Sequence, residues 1–479
     1  MSLDPPSYVV SLQNNIRSRP IPWEGAVRAK TITDTDHKKI KAIDKVRKEQ
    51  RKQALDGETD GYVSLFLGGG DGEGIFKSAA KRQDMVVYLL VLLDDSIEDS
   101  PALMSALLKN SDPYAPFLPL LKASTNLDEP LPLLAALVLT KLLSQAVTSS
   151  SKTTSQLESA LKSLYSYLST LSKSSDAGHQ DIAVQAYSSL LRSKKTRELF
   201  WDQRTETVDP LMDILRAGAG AGKDTGSTLW SEGASTTRAN FDTGIAGGVG
   251  IQLLYRVLLV IWQLSFEGEL VGEGLQDEHD ILILYVQLLR VSPKEKITRL
   301  LLSTLYNLFT TNRATLLPAA GLARLPSLLQ TLKARHLSDP DLVEDLNGLI
   351  EMLEEYTKGQ TTFDEYAAEV RSGHLRWSPP HRNPVFWAEN ARRILDENKG
   401  ELPRALVDIL SKPWENDKQV LAIGCNDVAC LVKEVPEKRS TLEKMGLKTR
   451  VMELMADPNE SVRWESLRAV GEWLRYSFD

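Results

Sequence analysis

Apolar residues recur along most of the chain with a period near 3.6, which predicts amphipathic α-helices. Near the C-terminal end, a face with spacings i, i+4, i+7 and i+8 is formed by Leu447, Val451, Leu454 and Met455. The next predicted helix presents one apolar stripe, formed by Val462, Leu467, Val470, Trp473 and Leu474. Two short helices cannot bury two such stripes alone, so they need neighbours of the same kind.

Helix-start signals separate these segments. Asp457 is expected to cap the last helix, with Pro458 in its first turn and Glu460 completing a capping box. Further start signals at Ser292 and Asp339 are spaced as in HEAT and armadillo repeats. No alternating strand pattern is found. The predicted fold class is therefore all-α, a HEAT/armadillo-like helical-repeat superhelix in two domains.

Three stretches rich in glycine or proline interrupt the helical pattern. Residues 68–74 form an acidic glycine loop, residues 217–250 a flexible insertion, and residues 358–384 the best candidate for a domain linker. The expected organisation has four parts: an extended or disordered N-terminal segment over 1–35, a large helical-repeat domain over 36–357, the linker over 358–384 and a smaller helical-repeat domain over 385–479.

Charge is uneven along the chain. The overall net charge is −7, which argues against a protein dedicated to nucleic acid. Basic residues nevertheless concentrate between positions 38 and 52. One interpretation is the solvated face of a helix; the other is a basic arm that meets an acidic partner. On the second interpretation the candidate contacts are Lys38, Lys41, Lys45 and Lys48.

The sequence offers little for membrane insertion or cysteine chemistry. No N-terminal secretory pattern is present, and the longest apolar runs, 131–140 and 257–262, are about half the length of a membrane span. Membrane association is therefore expected only through partners. The two cysteines, Cys425 and Cys430, exclude a disulfide framework, and Cys425 lies on an apolar helix face, as a core residue would.

The sequence contains no complete catalytic motif. Residues 218–223 resemble a phosphate-binding loop, but Ala217 stands where its first glycine is needed and Asp224 replaces the magnesium-binding hydroxyl. His374 and His381 have no ligand set at metal-binding spacing. We therefore expect no catalytic residues, no cofactor and no metal.

Trp414 is the aromatic residue most suggestive of a partner contact. It lies in a polar turn between two predicted helices, where an aromatic side chain often anchors an interface. Its neighbours in that turn, Glu415, Asn416 and Asp417, complete the candidate contact site. The alternative is that Trp414 only packs against its own domain.

Several stretches resemble one protein family. Residues 21–28, with Trp23 at their centre, are similar to the N-terminal signature of the H subunit of the vacuolar-type proton-pumping ATPase. Residues 251–266 look like its central helix, and residues 377–390, from Trp377-Ser-Pro-Pro-His to Phe386-Trp, like the start of its C-terminal domain. The segment 217–250 is longer and richer in glycine than the family pattern.

This resemblance implies a non-catalytic regulatory subunit on the cytosolic catalytic sector of the pump. Its implied partners are the peripheral-stalk subunits, the nucleotide-binding subunits and the cytosolic domain of the membrane-sector stator subunit. The implied location is cytoplasmic, on the cytosolic face of vacuolar or other endomembranes. The subunit would support proton transport in the assembled enzyme and inhibit ATP hydrolysis by the detached sector. The alternative is an armadillo-type cargo adaptor or general interaction scaffold, although the Trp–Asn ladder of such adaptors is absent, and an enzyme is a distant third.

Overall fold

The structure, a computed structural model, describes residues 7–69, 72–122, 126–149, 154–220, 249–292, 294–359, 361–414 and 417–475. Within these ranges the fold is all-α, apart from one short hairpin. The chain forms two compact units. The first holds residues up to 215 together with 249–267, and the second holds the described residues from 216 to 220 and from 268 onward.

The first unit contains fifteen α-helices in the described ranges, one 3-10 helix (Leu118–Leu121) and the hairpin β1 (Gly68–Gly69) with β2 (Gly72–Glu73). The helices are α1 (Ser7–Ser18), α2 (Trp23–Arg28), α3 (Asp34–Ile43), α4 (Lys48–Gly57), α5 (Thr59–Leu67), α6 (Ile75–Ser78), α7 (Gln83–Asp99), α8 (Pro101–Leu108), α9 (Pro130–Ser149), α10 (Ser155–Ser172), α11 (Ala177–Leu190), α12 (Lys194–Asp202), α13 (Arg204–Thr207), α14 (Asp209–Gly218) and α15 (Ile251–Ser265).

The second unit contains fourteen further α-helices in the described ranges and two 3-10 helices (Glu397–Lys399 and Pro436–Lys438). The α-helices are α16 (Gly268–His279), α17 (Ile281–Val291), α18 (Glu295–Thr311), α19 (Arg313–Leu322), α20 (Leu325–Lys333), α21 (Pro340–Gly359), α22 (Thr362–Ser372), α23 (Pro379–Arg382), α24 (Pro384–Asp396), α25 (Glu401–Ser411), α26 (Lys418–Glu434), α27 (Arg439–Lys444), α28 (Leu447–Leu454) and α29 (Glu460–Arg475).

In the first unit, α9 packs against α7, α10 and α11. It is the one described helix that is long and apolar enough to cross a membrane, and 56% of its most apolar 18-residue window is buried. Leu134, Leu139 and Leu142 are among its buried side chains. Such burial is typical of the core helix of a globular domain.

The N-terminal residues 7–18 and 23–28 are helical, not extended as expected for residues 1–35. Val9, Gln13 and Ile16 lie at i, i+4 and i+7 and bury one face of α1. The Gln13 amide donates to Asp94 of α7 at 2.9 Å, and Arg17 holds Asp95 at 2.6 Å. The apolar face and these polar contacts together dock α1 on α7.

In the second unit, one hydrophobic core runs from Phe363 to Trp473. It includes Tyr366 of α22 and Trp387 of α24, so α22 belongs to this core although it lies inside the predicted linker 358–384. The Thr361 hydroxyl accepts from the backbone amide of Asp364 and starts α22 with a capping box. The division into domains at 358–384 stays a prediction.

The last helix pair differs from the sequence-based expectation in two details. Asn459, not Asp457, caps α29, since its Oδ1 accepts from the amide of Ser461 at 3.0 Å. The buried face of α29 consists of Val462, Ser466, Ala469 and Trp473. Leu467 and Leu474, assigned to the buried stripe, are exposed instead. The spacing of the small residues Ser466 and Ala469 sets this register, because they allow α29 to pack closely on α26.

Candidate functional site

The predicted basic patch is exposed on α3, α4 and the turn between them, and consists of Lys38, Lys41, Lys45 and Lys48. Two of these lysines already hold carboxylates of the same unit. Lys38 pairs with Asp34 on its own helix at 3.1 Å, and Lys48 pairs with Asp99 at 3.2 Å. The exposed Lys38–Asp34 pair is worth little. Asp99 is buried and is also held by Arg51 at 2.9 Å, so Lys48 only adds to an ion pair inside the unit. Partner binding by this patch stays a prediction.

Trp414 lies half-buried in the turn that follows α25. Its Nε1 donates to the carbonyl of Ile409 at 2.7 Å, and its ring meets the His374 imidazole edge-on at 5.5 Å between centroids. The φ angle of Trp414 is 44°, in the left-handed region that non-glycine residues seldom adopt. The side chain therefore anchors its turn to the second unit and leaves part of the ring exposed.

Burial shifts the pKa values of titratable groups around Trp414. Burial lowers the pKa of His374 to about 4, with Lys412 and Arg376 adding to the effect, so this imidazole is neutral at physiological pH. Burial raises the pKa of Asp417. The other two predicted contacts in this turn, Glu415 and Asn416, lie outside the described residues.

His381 lies between two carboxylates in the interior of the second unit. Its Nδ1 is 2.7 Å from Asp427 Oδ1 and its Nε2 is 3.3 Å from Glu369 Oε1. His381 is 1% exposed, and both carboxylates are buried too. Burial alone would lower the pKa of His381, but the two carboxylates outweigh it and raise this pKa to about 10. The imidazole is therefore a buried cation that bridges α22, α23 and α26.

Backbone and side-chain hydrogen bonds complete this ionic network. The Asn426 amide donates to the carbonyl of His381 at 3.0 Å, and the indole of Trp387 donates to the same carbonyl at 3.4 Å. The Ser378 hydroxyl donates to Glu369 at 2.7 Å. These contacts fix the segment 376–382 on the core and make the network a structural feature.

A cleft of about 520 Å³ opens beside this segment. Trp377 and Arg382 form one wall, with the guanidinium 4.8 Å from the centre of the indole ring. Trp464 and Leu467 of α29 line the other wall. The lining of the cleft is mixed, since apolar side chains and the charged side chains of Glu460, Arg463 and Glu465 all contribute to it.

The cleft continues into an exposed apolar stripe on α29. Trp464 is 68% exposed, Leu467 50% and Leu474 49%. Gly471, also exposed, lies between the two leucines, and a Cβ atom added there would meet no other atom within 4 Å. The sequence pattern assigned Leu467 and Leu474 to the core, so it did not identify this surface. The sequence does contain a signal for this surface. Trp464, Leu467, Gly471 and Leu474 are spaced as regularly as the residues of the buried face.

The described residues contain no group of three or more His, Cys, Asp or Glu side chains that could hold a metal ion. Burial raises the pKa of both cysteine thiols, Cys425 and Cys430, to about 12, which makes them poor nucleophiles. In the segment that resembles a phosphate loop, Gly218 ends α14, and positions 221–223 lie outside the described residues.

Among solved structures, the crystal structure of an engineered protein aligns with 94% of this chain and 98% of its own. The identity is 13% and the TM-score 0.38, too low to support a functional argument.

Sequence comparison gives a consistent family assignment. The N-terminal model of the V-ATPase H subunit matches residues 7–353, and the C-terminal model matches residues 359–478. A probable H subunit of the V-type proton ATPase from Oryza sativa subsp. japonica is 28% identical over 95% of this chain and 94% of its own. The H subunit of the V-type proton ATPase from Drosophila melanogaster is 25% identical over 97% of this chain and 89% of its own. The chain therefore belongs to the family of V-ATPase H subunits.

Proposed function

We propose that this chain is a non-catalytic regulatory subunit of the vacuolar-type proton-pumping ATPase, located on its cytosolic catalytic sector. In the assembled enzyme it supports ATP-driven proton transport, and on the detached sector it inhibits ATP hydrolysis. The observation that carries the proposal is the match of both family models, which together span residues 7–353 and 359–478.

The chemistry of the described residues supports a non-catalytic role. His381 is held between two carboxylates, and the thiols of Cys425 and Cys430 stay protonated. A surface built of packed repeat helices is suited to binding proteins.

Under this proposal the partners are other subunits of the pump. They are the peripheral-stalk subunits, the nucleotide-binding subunits and the cytosolic domain of the membrane-sector stator subunit. The chain itself is cytoplasmic and reaches the cytosolic face of vacuolar or other endomembranes only through the complex. The candidate contacts are the basic patch at Lys38–Lys48 and the turn at Trp414.

The switch between the two roles is proposed to be a hinge near the junction of the family models. Those models meet between residues 353 and 359, and α21 ends at Gly359. From Phe363 onward the chain is part of the core that extends to Trp473. Within the predicted linker 358–384, the hinge is therefore proposed to lie between α21 and α22. One pose of the segment beyond it permits rotation of the pump, and another blocks it.

A cross-link tests the hinge. Helices α19 and α22 pack against each other on the two sides of residues 359–361. Cysteines placed on their facing surfaces, in a Cys425→Ala/Cys430→Ser background, would lock one pose. The locked protein should retain either support of proton transport or inhibition of the detached sector, and recover both on reduction. A locked protein that performs both functions would refute the hinge.

The experiment that tests the proposed function is ATP hydrolysis by a detached catalytic sector depleted of its own H subunit. Hydrolysis is measured with increasing amounts of the purified chain. We expect inhibition that saturates at one chain per sector, together with co-sedimentation of the two. Saturating co-sedimentation without inhibition would refute the regulatory role, and the absence of both would refute assembly with the pump.

A further inference from the structure

The exposed stripe of α29 has the pattern of a coiled-coil seam. Trp464, Leu467, Gly471 and Leu474 are spaced by three, four and three residues, as positions a and d of a heptad are. The buried face of the same helix, through Val462, Ser466, Ala469 and Trp473, already contacts the core. Helix α29 thus has two packing faces, and within the described residues only one of them is covered.

The size of the stripe fits an interaction site. Trp464, Leu467 and Leu474 together expose on the order of 300 Å² of side chain, which is the size of the largest apolar patch on a typical monomer, and such a patch is often functional. The stripe is also continuous with the cleft beside Trp377. Gly471 leaves a gap between the two leucines, so another helix can approach the backbone of α29 closely there.

The charges beside the stripe indicate what kind of helix it accepts. In the heptad frame set by Trp464, Arg468 and Arg475 occupy the two e positions and Arg463 a g position. Arg468 and Arg475 are exposed, and each is steadied by a glutamate three residues earlier, at 2.9 Å and 3.4 Å respectively. Residues at e and g select the partner of a coiled coil by charge. A seam edged by arginines favours a partner edged by carboxylates.

We propose that the Trp464–Leu474 stripe of α29 is a docking site for an acidic amphipathic helix of another protein. The partner helix places apolar residues at its a and d positions over Leu467, Gly471 and Leu474. Its Glu or Asp residues at e and g face Arg468 and Arg475. The first apolar residue of the partner reaches the Trp377 cleft, where Trp464 provides a flat apolar wall.

The test uses two synthetic helices and the isolated full chain, so it does not depend on the proposed ATPase role. Both peptides carry three heptads with leucine at a and d; one carries glutamate at e and g, the other lysine. Binding is measured by fluorescence anisotropy of the labelled peptides. We expect the glutamate peptide to bind about tenfold more tightly than the lysine peptide, because two or three charge pairs distinguish them.

Three variants separate docking from folding. Arg468→Glu/Arg475→Glu should reverse the preference between the two peptides. Gly471→Gln fills the gap from an exposed position where an added Cβ meets no neighbouring side chain within 4 Å, so it should abolish binding while the melting temperature is maintained. Met452→Gln changes an exposed apolar residue on α28, outside the stripe, and serves as the matched control that leaves binding unchanged.

Each other result decides against the proposal. If both peptides bind equally tightly to the wild-type chain and to Arg468→Glu/Arg475→Glu, the proposal that the partner helix is acidic is refuted. Absence of binding by the folded wild-type chain would remove the docking site. Self-association in sedimentation velocity that Leu474→Lys abolishes would assign the stripe to a second copy of this chain instead.

Discussion

Replacing His381 by glutamine should destabilise the second unit strongly at neutral pH. The imidazolium lies between Asp427 at 2.7 Å and Glu369 at 3.3 Å, and glutamine brings no charge to separate these two buried carboxylates. Loss of one partner of a buried ion pair costs about 3–5 kcal/mol. The rise of the His381 pKa from 6.5 to about 10 corresponds to a similar figure, on the order of 5 kcal/mol. The melting temperature of the unit should fall by roughly 10 °C.

The contribution of His381 to the free energy of unfolding depends on pH. The folded-state pKa of His381 lies above its unfolded value of 6.5, so its stabilising contribution is complete below that pH and is lost as pH rises towards 10. The difference in the free energy of unfolding between wild type and His381→Gln should therefore be largest near pH 6 and shrink towards pH 10. Differential scanning calorimetry of both proteins across this range measures it.

Two further variants isolate the cause. His336→Gln alters an exposed histidine and should leave the melting temperature unchanged. Asp427→Asn in the His381→Gln background removes an unpaired buried carboxylate and should recover part of the loss. A His381→Gln protein that melts within about 2 °C of wild type at pH 6, or a difference that does not vary with pH, would refute a buried charged network.

Three other predictions concern the same unit. Trp414→Ala should weaken inhibition of ATP hydrolysis by the detached sector while circular dichroism shows a folded protein, although the bond to Ile409 is lost; unchanged inhibition would remove this turn from the interface. Gly424→Ala places a Cβ 2.8 Å from Leu410 Cδ2 and should lower the free energy of unfolding in urea by about 1–3 kcal/mol, and unaltered stability would show that Leu410 moves aside. Cys425, buried and with a pKa of about 12, should react with a thiol reagent only after unfolding, so rapid labelling of the native chain would contradict its packing.

The helical character of the chain could be predicted from its sequence because apolar period and caps are local signals. Asp339 illustrates this, since its carboxylate accepts from the amide of Asp341 at 3.1 Å at the start of α21. Four helices lie where the sequence pattern predicts an extended segment or a linker, namely α1, α2, α22 and α23, and they are short or adjoin proline and glycine. Their helical state depends on docking to other elements, as Gln13 on Asp94 shows.

The register of α29 could not be assigned correctly from the size of its apolar residues. The large residues Leu467 and Leu474 suggest a core face, but the face that packs on α26 contains Ser466 and Ala469, which admit a close approach. Small residues contribute little to a hydrophobic pattern even where they determine how near two helices lie. Because the pattern places Leu467 and Leu474 on the buried face, it also fails to predict the exposed stripe to which they belong.

The candidate sites differ in how much of each could be predicted from the sequence. Trp414 could be singled out because it stands in a polar turn, but the bond to Ile409 that holds it depends on the turn geometry. The network of His381 could not be anticipated, since Asp427 follows it by 46 residues and only the packing of α23 on α26 brings them together. Tertiary ion pairs of this kind leave no mark in local spacing.

The buried network also constrains how the chain is made. Glu369 and His381 leave the ribosome before Asp427, and at roughly 5–20 residues per second the intervening stretch takes on the order of seconds to synthesise. Until α26 emerges, His381 lacks Asp427, one of the two carboxylates that bind its imidazole in the folded protein. The core from Phe363 to Trp473 is thus completed only after α26 and α29 have been synthesised. A nascent chain stopped before residue 427 should leave α22–α25 exposed to chaperones and proteases.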